Sequence, residues 1–443
     1  MGSQTGCARG HGVPLMHNAA VPTDDERPLT VSDHESTAHA PVPATEGSAR
    51  PSLELAASPQ SEERALRTRL LPAWLRAHFA AWGLVWIAFA ATRFGVLVVG
   101  VLAEYAARNR GIEDVLPFAQ AGTYIHYAGV ISEGYTLENA TEFPLLPALM
   151  YGLQQGTGMS LAVAGLLISN LCFLVGLIGF AKLGERYVGH DASVRASIYL
   201  AIWPVSHFFS LASTESLMLA GLVTAVLLAL RGTTAGWLGA AVAALLCALT
   251  RPPGVLVGIP LLLIAIGQLR SGELRGRRIP AAIAAGAAIP AGVLGFFFYL
   301  QMKTGDFKAS LHAQEQFNRH LSLDGPWRAV SGAVEAVRGG SLGEGFELAA
   351  AFLVTAMVIV FAARAAGDRW EVRGWVLFGA ASVLMPLATG LVWQMPRFAL
   401  LVPPLFWMLG VLGRRQWVHV AALILLPMAL AFRVMFEVVG VTQ

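Results

Sequence analysis

The sequence predicts an all-α, polytopic transmembrane helical protein, and three observations lead there. The chain has 443 residues, 55% of them hydrophobic and only 13% charged, whereas soluble domains carry about 25% charged residues. Its apolar runs approach the roughly 17–25 residues that a helix needs to cross a bilayer, not the roughly ten-residue alternating strands of a barrel. Its bases gather between those runs. With a net charge of only +3, they read as a topology signal and not as a nucleic-acid footprint. Backbone polar groups in lipid need internal partners, so runs of this kind must be helices.

Residues 1–60 are rich in Ser, Thr, Pro, Ala, His and acids and lack hydrophobic periodicity. They read as a disordered cytoplasmic tail. No apolar segment with a cleavage site follows Met1, so they are not a signal peptide. Residues 61–443 read as a single transmembrane domain. Arg64, Arg67, Arg69 and Arg76 precede the first span, about Phe79–Ala103, which puts the N-terminus on the cytoplasmic side of the cell membrane. The loop Glu104–Pro147 then faces outward. It holds the acids Glu104, Glu113, Asp114, Glu133, Glu138 and Glu142 against the bases Arg108 and Arg110. Within it Phe143–Leu153 is apolar but too short to span, and it reads as a re-entrant or interfacial piece.

Further spans are expected at about Ser160–Leu183, Ala196–Leu211, Ser216–Leu230, Trp237–Thr250, Gly254–Leu269 and Ile279–Leu300. After the polar outer loop Gln301–Gly345, itself a possible amphipathic helix, come about Phe346–Ala363, Trp375–Leu391, Phe398–Leu412 and Val418–Phe432. The total is about eleven spans, with the C-terminus outside. Cys172 and Cys247 lie in apolar helices and Cys7 in the tail, which suggests neither a disulfide framework nor a zinc site. Gly176, Gly179, Gly236 and Ala240 read as close helix packing.

On this topology the acidic loop, Glu215, Arg251, the loop 301–345 and the turn Gln394–Arg397 share the outer face. An ionisable side chain at membrane depth costs about 2.5–3.5 kcal/mol on insertion scales, so it lines a cavity or has a partner. Glu215 and Arg251 each interrupt an apolar run, and their convergence predicts an outward-facing site.

Gly134-Tyr135, Phe143-Pro144-Leu145-Leu146-Pro147, Ser169-Asn170-Leu171, Ser213-Thr214-Glu215-Ser216-Leu217, Thr250-Arg251-Pro252-Pro253-Gly254 and Met395-Pro396-Arg397-Phe398 occur in this order. Together they resemble the PIG-V-type (GPI mannosyltransferase 2-like) membrane mannosyltransferases of the GT-C glycosyltransferase class. The resemblance implies a GT-C-like fold and an inverting transfer of mannose. The donor would be polyprenyl-phosphate mannose, and the acceptor a glycan, lipid or protein at the extracytoplasmic face. It implies a membrane partner, no nucleic acid, no cofactor and no metal. Arg251 and Arg397, with Arg93 third, are candidates for the donor phosphate, because a guanidinium offers an anion two parallel charge-assisted hydrogen bonds. Tyr127 and Glu215 complete the expected substrate-binding set.

The chain departs from the family pattern at its presumed base, an Asp after Trp in the first outer loop. An ungapped alignment back from Tyr135 puts Thr123 there, and a three-residue shift puts Gln120 there. An acceptor hydroxyl needs a carboxylate within hydrogen-bond reach. Either Asp114, Glu113 or Glu133 substitutes, with Asp114 and Glu133 as the catalytic candidates, or this copy has lost catalysis and binds a glycolipid or acts as a partner subunit. A lipid-linked sugar transporter or flippase is the remaining alternative, and it would show broken helices at mid-membrane. Each candidate also has a structural reading. Arg93 snorkels or pairs with another helix, Glu215 is the counter-ion of Arg251, the adjacent acids Glu113 and Asp114 are solvated, and His126 is incidental.

Overall fold

Long stretches of Leu, Val, Ala and Phe leave the backbone one economical way to satisfy its N–H and C=O groups, and the chain takes it throughout. The computed structural model describes residues 73–108, 123–316, 319–365 and 369–440, all in the unit Arg69–Gln443. Among these residues the regular elements are helices only. They are α1 (Ala73–Arg108), α2 (Tyr124–Glu133), α3 (Leu145–Thr157), α4 (Leu161–Val188), α5 (His190–Ala201), α6 (Glu215–Ala229), α7 (Thr234–Ala248), α8 (Gly258–Arg270) and α9 (Arg278–Thr304). There follow α10 (Ala309–Glu315), α11 (Gly325–Arg338), α12 (Leu342–Arg364), α13 (Trp370–Leu387), α14 (Met395–Ala399), α15 (Pro403–Leu412) and α16 (Gln416–Gly440). The tail 1–60, Glu113, Asp114 and Gln120 lie outside the described residues.

Ten of the eleven predicted runs lie largely on helical segments; the exception is Ala196–Leu211. Six segments are long and apolar enough to cross a membrane by length and composition: Ala77–Ala106, Leu161–Val188, Pro252–Arg270, Arg278–Thr304, Leu342–Arg364 and Gln416–Val438. The others are shorter, and their ends shape the interior. The run Ala196–Leu211 is not one helix. α5 stops at Ala201 because Pro204 can neither donate a backbone hydrogen bond nor tolerate a helical residue before it. A one-turn 3-10 helix, Ser206–Phe209, lies in the irregular stretch that follows. The apolar piece of the first outer loop, α3, has 13 residues, too few for the roughly 20 that a spanning helix needs.

α4 packs on α6, α6 on α7, and α7 on α9. Gly176 and Gly179 permit the first contact: a Cβ at Gly179 would lie 2.6 Å from Val223 Cγ2, and one at Gly176 3.0 Å from Leu219 Cγ. α5 packs on α15, α8 on α13 and α1 on α16. The irregular stretch 202–214 is buried, so its carbonyls need internal partners. Arg93 of α1 supplies several, donating to Ala201 O at 2.8 Å and Ser206 O at 2.7 Å. Asn170 Nδ2 donates to Ser210 O at 3.2 Å, and Ser216 Oγ to Phe209 O at 3.0 Å. The Ser169-Asn170 pair therefore serves the backbone of a neighbouring segment.

Candidate functional site: a polar cavity where the short helices end

α6 begins at Glu215 and α7 ends at Ala248, so neither fills the full depth of its longer neighbours. The space they leave is a cavity of about 700 Å³. Its wall is drawn from distant parts of the chain: Thr123, His126 and Tyr127 at the start of α2, Thr141–Phe143, Thr214, and Thr250–Pro253. α9 contributes Val293 and Phe297, the stretch after α10 contributes Arg319 and His320, and the loop after α13 contributes Thr389, Trp393, Gln394 and Arg397. Arg231, Arg270, Arg278 and Arg373 lie at or just beyond the other ends of helices whose near parts border this space.

Glu215 is fully buried behind the wall, with Arg251 and Arg397 on either side of it. Both guanidiniums donate to its Oε1, and Arg397 Nη2 also donates to Oε2 at 3.1 Å. The Ser213 hydroxyl donates to Oε2 and accepts from Arg397 Nη2 at 3.0 Å. Each guanidinium also rests on a ring: Arg397 lies 4.2 Å from the Phe208 centroid and Arg251 5.2 Å from that of Phe398. A guanidinium has five N–H donors, so pairing with one carboxylate leaves donors for a guest in the cavity. Arg319 adds a third positive charge. It stacks 5.1 Å from the Trp393 centroid and donates to Gln314 Oε1 at 3.0 Å.

Facing these cations is Glu142. Two motifs fix its backbone. Tyr135, after Gly134 at φ 82°, donates from its hydroxyl to the Glu142 carbonyl at 3.0 Å. Phe143 is buried against Phe296, with centroids 4.8 Å apart. Leu145 N donates to Leu249 O at 3.0 Å, which ties this loop to the strand of chain entering Arg251. The Thr141 hydroxyl donates to Glu142 Oε1 at 3.4 Å, and Tyr127 lines the same cavity. Burial raises its pKa, and the nearby His126 and Arg397 only partly oppose that. A carboxyl group held above its ordinary range is a stronger base than a solvated one, and this one sits among cations and hydroxyls at the cavity wall.

Of the residues singled out in the sequence, Tyr127, His126, Arg251 and Arg397 line the cavity. Glu215 holds the two arginines from behind. Arg93 does not line it, since its guanidinium is taken up by Ala201, Ser206 and Ser210 and lies over Phe173. Glu133 is exposed at the end of α2, outside the lining. Thr123 borders the cavity, and its hydroxyl donates to Ala212 O at 2.9 Å. Sequence reasoning missed Glu142 and Arg319. The available signal for Glu142 was its position directly before Phe143, an aromatic residue that is buried here, so that the carboxylate is drawn to the edge of the packed interior.

No family model matches the chain, and no curated protein sequence does either. Among solved structures the chain is similar to ArnT from Cupriavidus metallidurans bound to undecaprenyl phosphate, at 13% identity and a TM-score of 0.49, over 80% of this chain and 76% of that one. It is also similar to the oligosaccharyltransferase of Archaeoglobus fulgidus in complex with zinc and sulfate, at 13% identity and a TM-score of 0.39, over 78% of this chain and 52% of that one. A third similarity is to the AglB oligosaccharyltransferase of the same organism with an inhibitory peptide and a dolichol-phosphate, at 12% identity and a TM-score of 0.39, over 79% and 56%. The chain thus spans about half the length of the two oligosaccharyltransferase chains.

Proposed function

We propose that this cavity transfers a sugar, mannose or a close relative, from a polyprenyl-phosphate carrier to a hydroxyl acceptor at the extracytoplasmic membrane face. The observation that carries the reading is a carboxylate, Glu142, sharing one cavity with Arg251 and Arg397. The ordered motifs resembling PIG-V-type mannosyltransferases supply the sugar and the carrier. The placement of arginines at the opposite helix ends supports the outward orientation.

Arg251 and Arg397 hold the donor phosphate, and Glu215 keeps their forks aimed. The acceptor oxygen attacks the anomeric carbon from the face opposite the phosphate while Glu142 takes the acceptor proton. A new C–O bond forms to the acceptor and the bond from the anomeric carbon to the phosphate oxygen breaks. The electron pair leaves with the polyprenyl phosphate, and the configuration inverts. The arginines act most strongly at this stage, since charge on the departing phosphate grows as the bond breaks. Tyr127, which lines the same cavity as Glu142, helps to orient the base.

Thr123 or Gln120 in place of the Asp expected from the resemblance favours a second reading, a binder of the same lipid that performs no transfer. Membranes supplied with radiolabelled polyprenyl-phosphate mannose and acceptor extracts separate the two. Transfer by wild type that falls by about two to four orders of magnitude in Glu142→Gln, the usual worth of a general base, is the expected result. No incorporation above an empty-vector control with any extract overturns the catalytic reading. Full activity of Glu142→Gln overturns the assignment of the base.

A further inference from the structure

α11 has three faces where a helix on the surface of a soluble protein has two. At 3.6 residues per turn, Gly325, Ala329 and Ala333 form one face, and it is buried against α12 and α13. Arg328, Ser331, Glu335 and Arg338 form a second, polar face. Trp327, Val330, Val334 and Val337 form the third. It is apolar yet only partly covered, with Trp327 75% and Val337 41% exposed and Val330 and Val334 half-buried. The helix cannot roll to hide it. A Cβ at Gly325 would overlap the Ala388 carbonyl, and Ser322 N donates to Ala388 O at 2.9 Å, so the first face is fixed on the chain that leads into the cavity wall.

Connectivity says what covers the third face. Only Gly339, Gly340 and Ser341 separate α11 from α12, which is one of the helices long and apolar enough to span. Three residues reach at most about 10 Å, so the end of α11 lies at the boundary where α12 enters the bilayer. Going round the helix, the apolar face lies between the buried face and the polar one. That is the order required at a junction of protein, lipid and water. Trp is also the residue favoured at the headgroup level.

We infer that α11 is an interfacial helix whose Trp327, Val330, Val334 and Val337 are immersed at the lipid headgroup boundary, making it a lipid-facing lip of the cavity. Leu321, just before it, lines the cavity and is 69% exposed, and Leu323 is fully exposed, so the apolar surface runs from the lip inward. The inference stands whether or not the cavity transfers a sugar.

The test is a nitroxide scan along Trp327–Arg338 in the full chain, with the native cysteines replaced, reconstituted into liposomes of phosphatidylethanolamine and phosphatidylglycerol. Labels at 327, 330, 334 and 337 should collide with oxygen severalfold more than with a soluble nickel chelate. Labels at 328, 331 and 335 should show the reverse. High nickel accessibility at 327 and 337 would place the face in water, and shielding from both relaxers would place it under protein. Either overturns the proposal. A second measurement keeps the native cysteines: the fluorescence difference between wild type and Trp327→Phe isolates Trp327, and brominated lipid should quench it. An unquenched difference spectrum counts against immersion.

Discussion

Glu215→Gln is the substitution that most directly tests how the cavity is held together. Glu215 has no exposed surface, and the side chains of Arg251 and Arg397 are only 12% and 9% exposed. The change keeps the shape and removes the one charge that compensates both guanidiniums. Removing one partner of a buried ion pair costs about 3–5 kcal/mol, because the remaining charge stays desolvated. Arg251 borders the cavity and can turn toward water there, so most of the cost falls on Arg397. The ring contacts with Phe208 and Phe398 exist with or without the carboxylate and offset nothing. A loss of about 3–5 kcal/mol is a third or more of the stability of an ordinary domain at about 5–15 kcal/mol. Thermal unfolding of the detergent-solubilised protein, followed by tryptophan emission, should therefore show a large drop in midpoint. Glu215→Gln with Arg397→Gln should recover part of it, since the buried charge is then gone. If the arginines bind a phosphate, polyprenyl phosphate should raise the midpoint of Glu215→Gln more than that of wild type, by taking the place of the carboxylate. A single variant that melts with wild type, or a double variant no more stable than the single, would refute the buried-pair argument.

Glu142 makes an unusual pair of expectations. Its folded pKa is raised, so the ionised form needed for catalysis appears only above the ordinary carboxylate value of about 4.3; kcat/KM should climb with pH through an acid limb displaced upward, and Glu142→Gln should abolish that limb. The sign for stability is opposite to that of a salt-bridged acid: above the unfolded pKa the folded state pays for ionising Glu142, so Glu142→Gln should melt at or above wild type while losing activity. Arg397→Lys keeps the charge and loses the fork; at about 1.5–3 kcal/mol for a charge-assisted hydrogen bond, kcat/KM should fall roughly 10–100-fold, and an unchanged value would remove Arg397 from phosphate binding. Arg93→Ala should lower the unfolding midpoint yet leave the KM for donor unchanged in the surviving fraction, because its donors serve Ala201 and Ser206. Tyr135→Phe removes a single neutral bond to the Glu142 carbonyl, worth about 0.5–1.5 kcal/mol, and should lower kcat a few-fold with KM retained.

The helical architecture was legible because lipid leaves so few choices: apolar runs of spanning length must be helices, and all but Ala196–Leu211 lie largely on helical segments. The meeting of Glu215 and Arg251 was legible too, since a charge that interrupts an apolar run needs a cavity or a partner. Arg93 satisfied the same rule in the other way. Its partners are backbone carbonyls exposed where Pro204 breaks α5, and a sequence names side chains more readily than it names orphaned carbonyls. Glu142 was hidden among the other acids of its loop. Composition treats them alike, and only the burial of Phe143 and the reach of Tyr135 separate it from Glu133, which ends α2 in solvent. Arg319 sits in a long polar segment with no periodicity to aim it.

These contacts change the meaning of the motifs. Gly134-Tyr135 and Phe143-Pro144 bring no reacting group; they grip the backbone on either side of Glu142. Ser169-Asn170 supplies hydrogen bonds to the irregular stretch that ends in Ser213 and Glu215, and Glu215 in turn fixes the two arginines. The motif residues act mainly as scaffold for a carboxylate and a pair of guanidiniums. Such a scaffold tolerates movement of the carboxylate as long as it reaches the same space. Thr123 and Glu142 border one cavity from adjacent segments, and Thr123 spends its hydroxyl on Ala212. A chain that lost an acid at the first position would keep the arginine cradle intact, and a base supplied from the second position would meet the same acceptor oxygen. An acid missing from the first position is therefore a weaker argument against transfer than the sequence alone suggested, and the behaviour of Glu142 decides the matter.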